Sequence, residues 1–179
     1  MAIYKLGKEN QPAWRFFLLA VATAGILAGC AHRPISGNEP IETGWIDRAE
    51  LERPVHAEFK IGYDTAAVQT PFIPMLRSVD QGVKVIVFLG TWCPDSRRYV
   101  PHFLKVADLA GIPEENVKLY CVDRSKKSND GLTASYKIEL VPTFIFLKGG
   151  IEIGRIVESP QLSIEQDMLT ILAKNSANP

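Results

Sequence analysis

Val83-Lys84-Val85-Ile86-Val87-Phe88-Leu89-Gly90-Thr91-Trp92-Cys93-Pro94-Asp95-Ser96 is the stretch whose reading decides the fold. Its first half is a short run rich in β-branched and aromatic residues, apolar on both faces at its end, the pattern of a central parallel strand. The run leads directly into a loop and then into a helix predicted over residues 94–110. Pro94 is preset for a first helical turn. Val100, Phe103, Leu104, Ala107 and Leu109 supply the apolar surface, and Gly111 and Pro113 stop the helix. Cys93 therefore stands at a helix start, where unpaired backbone N–H groups and the positive end of the dipole favour a thiolate over a thiol.

Working outward, Val117 to Val122 reads as a second core strand, Asp123 to Gly131 as a polar loop, and Leu132 to Tyr136 as a short helix. Thr143 to Leu147 and Ile151 to Val157 flank Lys148-Gly149-Gly150, which predicts a β-hairpin. The last helix is expected to start at Ser163, whose hydroxyl caps it while Gln166 reaches back, and to bury Ile164, Met168, Leu169, Ile171 and Leu172. Upstream, a short helix is predicted between Trp45 and Arg53, stopped by Pro54. Another begins with Thr70 as N-cap and Pro71 in the first position, with Phe72, Met75, Leu76 and Val79 as its apolar stripe. Parallel strands joined by helices, then a hairpin and a final helix, define an α/β fold with a central mixed sheet and helices on both faces.

At this point the chain resembles the thioredoxin superfamily over roughly residues 64–175. Trp92-Cys93-Pro94 resembles the family's active site, and Pro101 falls where its members carry the proline that bends the active-site helix. Val141-Pro142-Thr143 resembles the cis-proline segment, and Lys148-Gly149-Gly150 the matching hairpin. The resemblance implies a thioredoxin-like fold with Cys93, Ser96 and Pro142 at the reacting centre. Trp92, Pro94, Val141 and Thr143 then line the substrate side, with the Val141 backbone free to pair with an extended segment beside the sulfur. The implied partners are protein or low-molecular-weight thiols and disulfides.

Two departures from the family pattern restrict the chemistry. Ser96 occupies the position of the resolving cysteine and has no comparable redox chemistry. Val87 stands where many thioredoxins have a buried aspartate that moves a proton to and from that second thiol. Asp95 reads either as a helix-start carboxylate or as a charge opposing a Cys93 thiolate. Ser96 reads either as a donor to the thiolate or as a first-turn serine. Arg97 and Arg98 read as plain solvated charges or as attractors of an anionic thiol such as glutathione. Three functions stay open: single-thiol disulfide exchange through Cys93, a non-catalytic binding or scaffold module that keeps the groove, and peroxide sensing through a sulfenic acid at Cys93.

The ends and the composition complete the reading. Lys5, Lys8 and Arg15 precede the apolar run Phe16 to Gly29, a basic segment followed by a hydrophobic one of signal-peptide length. Leu27-Ala28-Gly29-Cys30 resembles the bacterial lipoprotein box, which implies removal of residues 1–29 and a diacylglyceryl group on the Cys30 sulfur. Residues 30–44, with Pro34, Gly37 and Pro40, then form a lipidated tether, and residues 45–179 the thioredoxin-like domain. The expected location is the bacterial cell envelope, anchored to a membrane by lipid and facing the periplasm. Ala31, where some bacteria use aspartate to retain lipoproteins at the inner membrane, points to the outer one.

With 20 basic and 20 acidic residues in 179, the chain is neutral and has no basic stripe for nucleic acid. His32, His56 and His102 are scattered, so neither a metal nor another cofactor is expected. Setting Cys30 aside leaves Cys93 and Cys121, too few for a disulfide scaffold. Cys121, between Tyr120 and Val122, reads as an inert buried thiol; the alternative, pairing with Cys93, needs Cα atoms within about 7 Å.

Overall fold

The computed structural model describes residues 41–79 and 82–176. The predicted signal peptide, the lipidation site at Cys30 and most of the predicted tether lie outside the described residues. Among the described residues no helix is long and apolar enough to cross a membrane.

The chain opens with strand β1 (Gly44–Ile46), helix α1 (Arg48–Leu51) and a 3₁₀ turn at Pro54–His56. Helix α2 (Ala57–Thr65), a second 3₁₀ turn at Thr70–Phe72 and helix α3 (Ile73–Ser78) lead to strand β2 (Lys84–Leu89). Helix α4 (Pro94–Ala110), strand β3 (Val117–Cys121) and helix α5 (Leu132–Ser135) follow. Strands β4 (Thr143–Lys148) and β5 (Ile151–Val157) and helix α6 (Ile164–Ser176) complete the fold. The five strands form one sheet in the order β1-β3-β2-β4-β5. Only β2 and β3 run parallel; every other pair is antiparallel. This is the mixed sheet expected.

The continuous apolar run of β2 follows from its central place, with β3 on one side and β4 on the other. Val85, Val87 and Leu89 enter a large core shared with Leu51, Phe59, Leu76, Phe103, Ile164 and Met168. Phe88 enters a smaller core on the other face, with Tyr120, Ile145, Ile138 and Val141, partly covered by Leu132 and Tyr136 of the α5 segment. The sheet is thus covered on both faces, though unequally. Phe103 of α4 packs against Phe144 of β4 with ring centroids 4.8 Å apart and the rings tilted, within the separation at which aromatic pairs attract.

Several local expectations change. Trp45 lies in β1 rather than in a helix, meeting Tyr120 edge-on at 5.0 Å, and the helix after it shortens to α1. Glu42 already belongs to the folded unit, since its carboxylate accepts from Arg53 at 2.9 Å. The stripe of α3 is Ile73 and Leu76; Met75 is exposed, and Gln69 rather than Thr70 precedes the turn, without a side-chain cap. On α4 the buried face takes Val106 and Ala110 instead of the exposed Leu109.

Helix α2 carries a weak apolar pattern in which only Phe59 is fully buried, so periodicity does not announce it. It packs on α4 through Gly62, where a Cβ would stand 3.0 Å from the Pro101 ring. Ser163 does cap α6, accepting from the Gln166 N–H at 3.2 Å, but the Gln166 side chain turns to Gln69 instead of reaching back. Within β5 the pairing with β4 slips between Phe146 and Leu147, a β-bulge at Ile153. The bulge leaves Glu152 and Arg155 close enough for a two-pronged ion pair at 2.6 Å.

Candidate functional site

The site forms where β2 ends and α4 begins. Cys93 takes the N-cap position of α4 with extended backbone angles, and its N–H bonds the Gly90 carbonyl at 2.9 Å. Pro94 supplies the first helical residue, where a missing N–H costs nothing. On the first turn Ser96 is wholly buried, and its Oγ accepts the Gly90 N–H at 3.1 Å. Gly90 thus gives one backbone group to each of the two positions that define the motif. A Cβ on Gly90 would lie 2.7 Å from the Trp92 ring, so only glycine lets Trp92 fold across this turn. The Trp92 indole N–H in turn donates to the Val122 carbonyl at 2.9 Å, tying the loop after β2 to the end of β3.

The opposite wall comes from the segment before β4. The Val141–Pro142 peptide is cis, and both residues are buried. The Cys93 S–H donates to the Val141 carbonyl at 3.2 Å. Thr143, the first residue of β4, turns its hydroxyl back onto the Leu140 carbonyl at 2.7 Å, and the Glu158 N–H holds the Pro142 carbonyl at 2.7 Å. Of the residues singled out from the sequence, Trp92, Pro94 and Ser96 flank Cys93 along the chain and Val141 meets its sulfur, with Pro142 and Thr143 following directly. Cys93 itself is only 6% exposed.

Of the two arginines, Arg98 stays exposed as a solvated helix charge, whereas Arg97 does not. Arg97 donates to the Thr91 carbonyl at 2.7 Å and lies 3.6 Å from the Glu58 carboxylate, so it braces the loop. Arg98 lies over the Tyr99 ring at 5.3 Å. The cation beside the site is Arg124, whose guanidinium sits 4.9 Å over the Trp92 ring. Sequence reading passed over Gly90, Val122 and Arg124 because their roles depend on loops meeting across the sheet, which no spacing records.

Cys121 is wholly buried in the large core, whereas Cys93 belongs to the smaller one; both are free thiols. Burial, with the nearby carboxylates of Glu42 and Glu50 adding to it, pushes the Cys121 thiol up to about 12, so it stays protonated and unreactive. Val87 is also wholly buried and apolar, facing Leu119 and Phe144. Neither a second sulfur nor a carboxylate replaces what Ser96 and Val87 lack at these two positions. Among the described residues no group of His, Cys, Asp and Glu side chains is arranged to hold a metal ion.

A five-stranded mixed sheet, a cysteine at the start of the helix after its central strand and, against the sulfur, the carbonyl that precedes a cis-proline define a thioredoxin-like α/β protein. The family model described as Thioredoxin matches residues 53–171, and the chain belongs to the thioredoxin family. A thioredoxin-like protein of Acanthamoeba polyphaga mimivirus is 26% identical over 98 residues, covering 55% of this chain and 69% of the viral one. Thioredoxin H2-2 of Oryza sativa is 30% identical over 93 residues, covering 52% of this chain and 65% of its own. A crystal structure of a Pseudomonas aeruginosa protein of unknown function superposes with a TM-score of 0.53 at 17% identity, covering 75% of this chain and 94% of that one, a likeness of fold alone.

Proposed function

We propose that this chain is a single-thiol thiol–disulfide exchange protein of the bacterial cell envelope, held to a membrane by lipid on Cys30 and facing the periplasm. The observation that carries the chemistry is the 3.2 Å contact between Cys93 Sγ and the Val141 carbonyl, which puts the nucleophile against the backbone a substrate strand would pair with. The Cys93 thiolate attacks one sulfur of a substrate disulfide. A new S–S bond joins Cys93 to that sulfur, the old bond breaks, and the second substrate sulfur leaves as a thiolate with the electron pair. With Ser96 in place of a resolving cysteine, an external thiol, of a protein or of low molecular weight, must attack the mixed disulfide. It takes the substrate sulfur into a disulfide of its own and returns Cys93 as a thiolate.

The test uses the full chain, a peptide disulfide bearing a coloured aryl thiolate leaving group, and a Cys93→Ser variant. Release should be rapid with the parent and absent with the variant; equal rates in the two sink the exchange reading. The lipid anchor rests on the Leu27 to Cys30 sequence and the outer-membrane location on Ala31. Cys30→Ser should move the protein from the membrane fraction to the soluble one in a bacterial host.

A second reading, a binding module that keeps the groove without turnover, is favoured by one observation. Ser96 and Val87 are both fully accommodated, the first by its bond from Gly90 and the second by apolar packing, so the site shows no gap where the missing groups belong. Partner capture that survives Cys93→Ala supports this module; capture strictly dependent on the thiol counts against it.

A further inference from the structure

An open basin of about 390 Å³ is formed by the two loops that lead to and from the site, lined by Ser125, Lys126, Lys127, Lys137, Ile138 and Glu139 among others. One wall, Ser125 to Lys127, continues directly from Arg124, the cation over Trp92. The other wall includes Ile138 and Glu139, from which the chain runs through Leu140 into Val141, so both walls are joined along the chain to residues of the Cys93 site. Its charge is unlike that of the chain as a whole. Three lysines and one glutamate line it, in a protein with equal numbers of basic and acidic residues. None of the three lysines takes part in an ion pair among the described residues. The acids of the same loop are occupied locally: Asp123 by the Ser125 N–H and hydroxyl, and Asp130 by the Tyr120 hydroxyl and the Leu132 N–H.

The backbone supplies a second, independent observation. Lys126 and Lys137 have φ of 56° and 53°, the left-handed region where glycine or asparagine is the ordinary choice. Non-glycine residues held there are costly and gather at functional positions. Two lysines at such positions, both lining one basin, are poor choices for folding alone. The loop that carries Lys126 is fixed by the exchange of hydrogen bonds between Ser128 and Thr133, so the ammonium groups are presented on an ordered frame.

We propose that this basin, with Arg124, docks an acidic stretch of the substrate polypeptide flanking its disulfide, which selects polypeptides carrying Asp or Glu beside the reacting cysteine. This rests on the exchange reading for its purpose, but its binding step is separable from that chemistry. The extended substrate strand lies along Val141, and its carboxylates reach the lysines and Arg124 in place of water and counterions.

Binding is measured by fluorescence anisotropy on the full chain, with dye-labelled decapeptides in which serine replaces the cysteine and the flanks are glutamate, glutamine or lysine. The glutamate peptide should bind at least five-fold tighter than the glutamine one at low salt and lose that margin at several hundred millimolar salt. A Lys126→Gly/Lys137→Gly variant, which places glycine at both left-handed positions and so spares the backbone, should remove most of the preference; Lys127→Ser should reduce it further. Equal binding of the three peptides, or a preference untouched by the lysine variants, overturns the proposal. Loss of coloured-thiolate release with retained glutamate binding overturns the exchange reading and leaves the docking site standing.

Discussion

The Gly90 amide N–H reaches the Ser96 hydroxyl at 3.1 Å inside the protein, so the serine three residues after Cys93 is the acceptor for the turn that carries that cysteine. Ser96 is therefore structural whatever its part in chemistry. Ser96→Ala leaves a buried N–H without that acceptor and should cost about 1–3 kcal/mol, read as a lower urea midpoint at unchanged slope. An unchanged midpoint would show that the hydroxyl is dispensable.

Ser96→Cys should convert the site to a dithiol one. Residues three apart on a first turn are neighbours, within the Cα separation a disulfide accepts. The variant is expected to stop accumulating mixed disulfide with substrate, because its own second sulfur releases the product. Mass spectrometry of the quenched reaction checks this, and persistence of the mixed disulfide at the parental level would refute it.

Gly90→Ala places a methyl group against the Trp92 ring and should expel the indole from its bond to Val122. The expected loss is about 1–3 kcal/mol, as for other overpacked sites. Near-ultraviolet circular dichroism follows Trp92 directly; a parental spectrum at parental stability goes against the steric argument.

Glu165 is wholly buried on α6. Burial pushes its carboxyl up, but hydrogen bonds from the Gln69 N–H, His102 and Ser163 outweigh this and hold it below its ordinary value of 4.5. A depressed folded pKa gives stability that is complete above the unfolded pKa and is lost as pH falls through the folded one. Glu165→Gln should therefore lower the urea midpoint at pH 7, and the gap to the parent should close as the pH is taken below about 4.5. A gap independent of pH would separate Glu165 from the acid limb.

Cys121 should resist alkylation by iodoacetamide at pH 8 in the folded chain and react only after denaturation, given a thiol pushed up to about 12 by burial. Peptide mapping resolves it from Cys93. Equal labelling before and after unfolding would contradict the burial.

The central strand, the helix from Pro94 to Ala110 and the hairpin could be read from the sequence because each is bounded by local chemistry: a β-branched run, a proline at the first turn and Gly111 after the last, two glycines in a turn. Helix α2 and strand β1 could not. Gly62 in mid-helix and a three-residue strand make sense only against Pro101 and Tyr120, partners 39 and 75 residues away from Gly62 and Trp45. The same division holds at the site. Cys93 and Pro142 announce themselves by type, while Gly90 and Arg124 act through contacts made after folding.

The slip in pairing at Ile153 bears on how this protein keeps company with itself. Strand β5 closes one side of the sheet and has a row of backbone groups facing away from β4. A straight strand there is a template on which a neighbouring chain can add its own. The extra residue interrupts that row near its middle, and the Glu152–Arg155 ion pair sets two charges beside the break. The margin of this sheet is thereby poorly suited to taking up a loose strand from any neighbouring polypeptide.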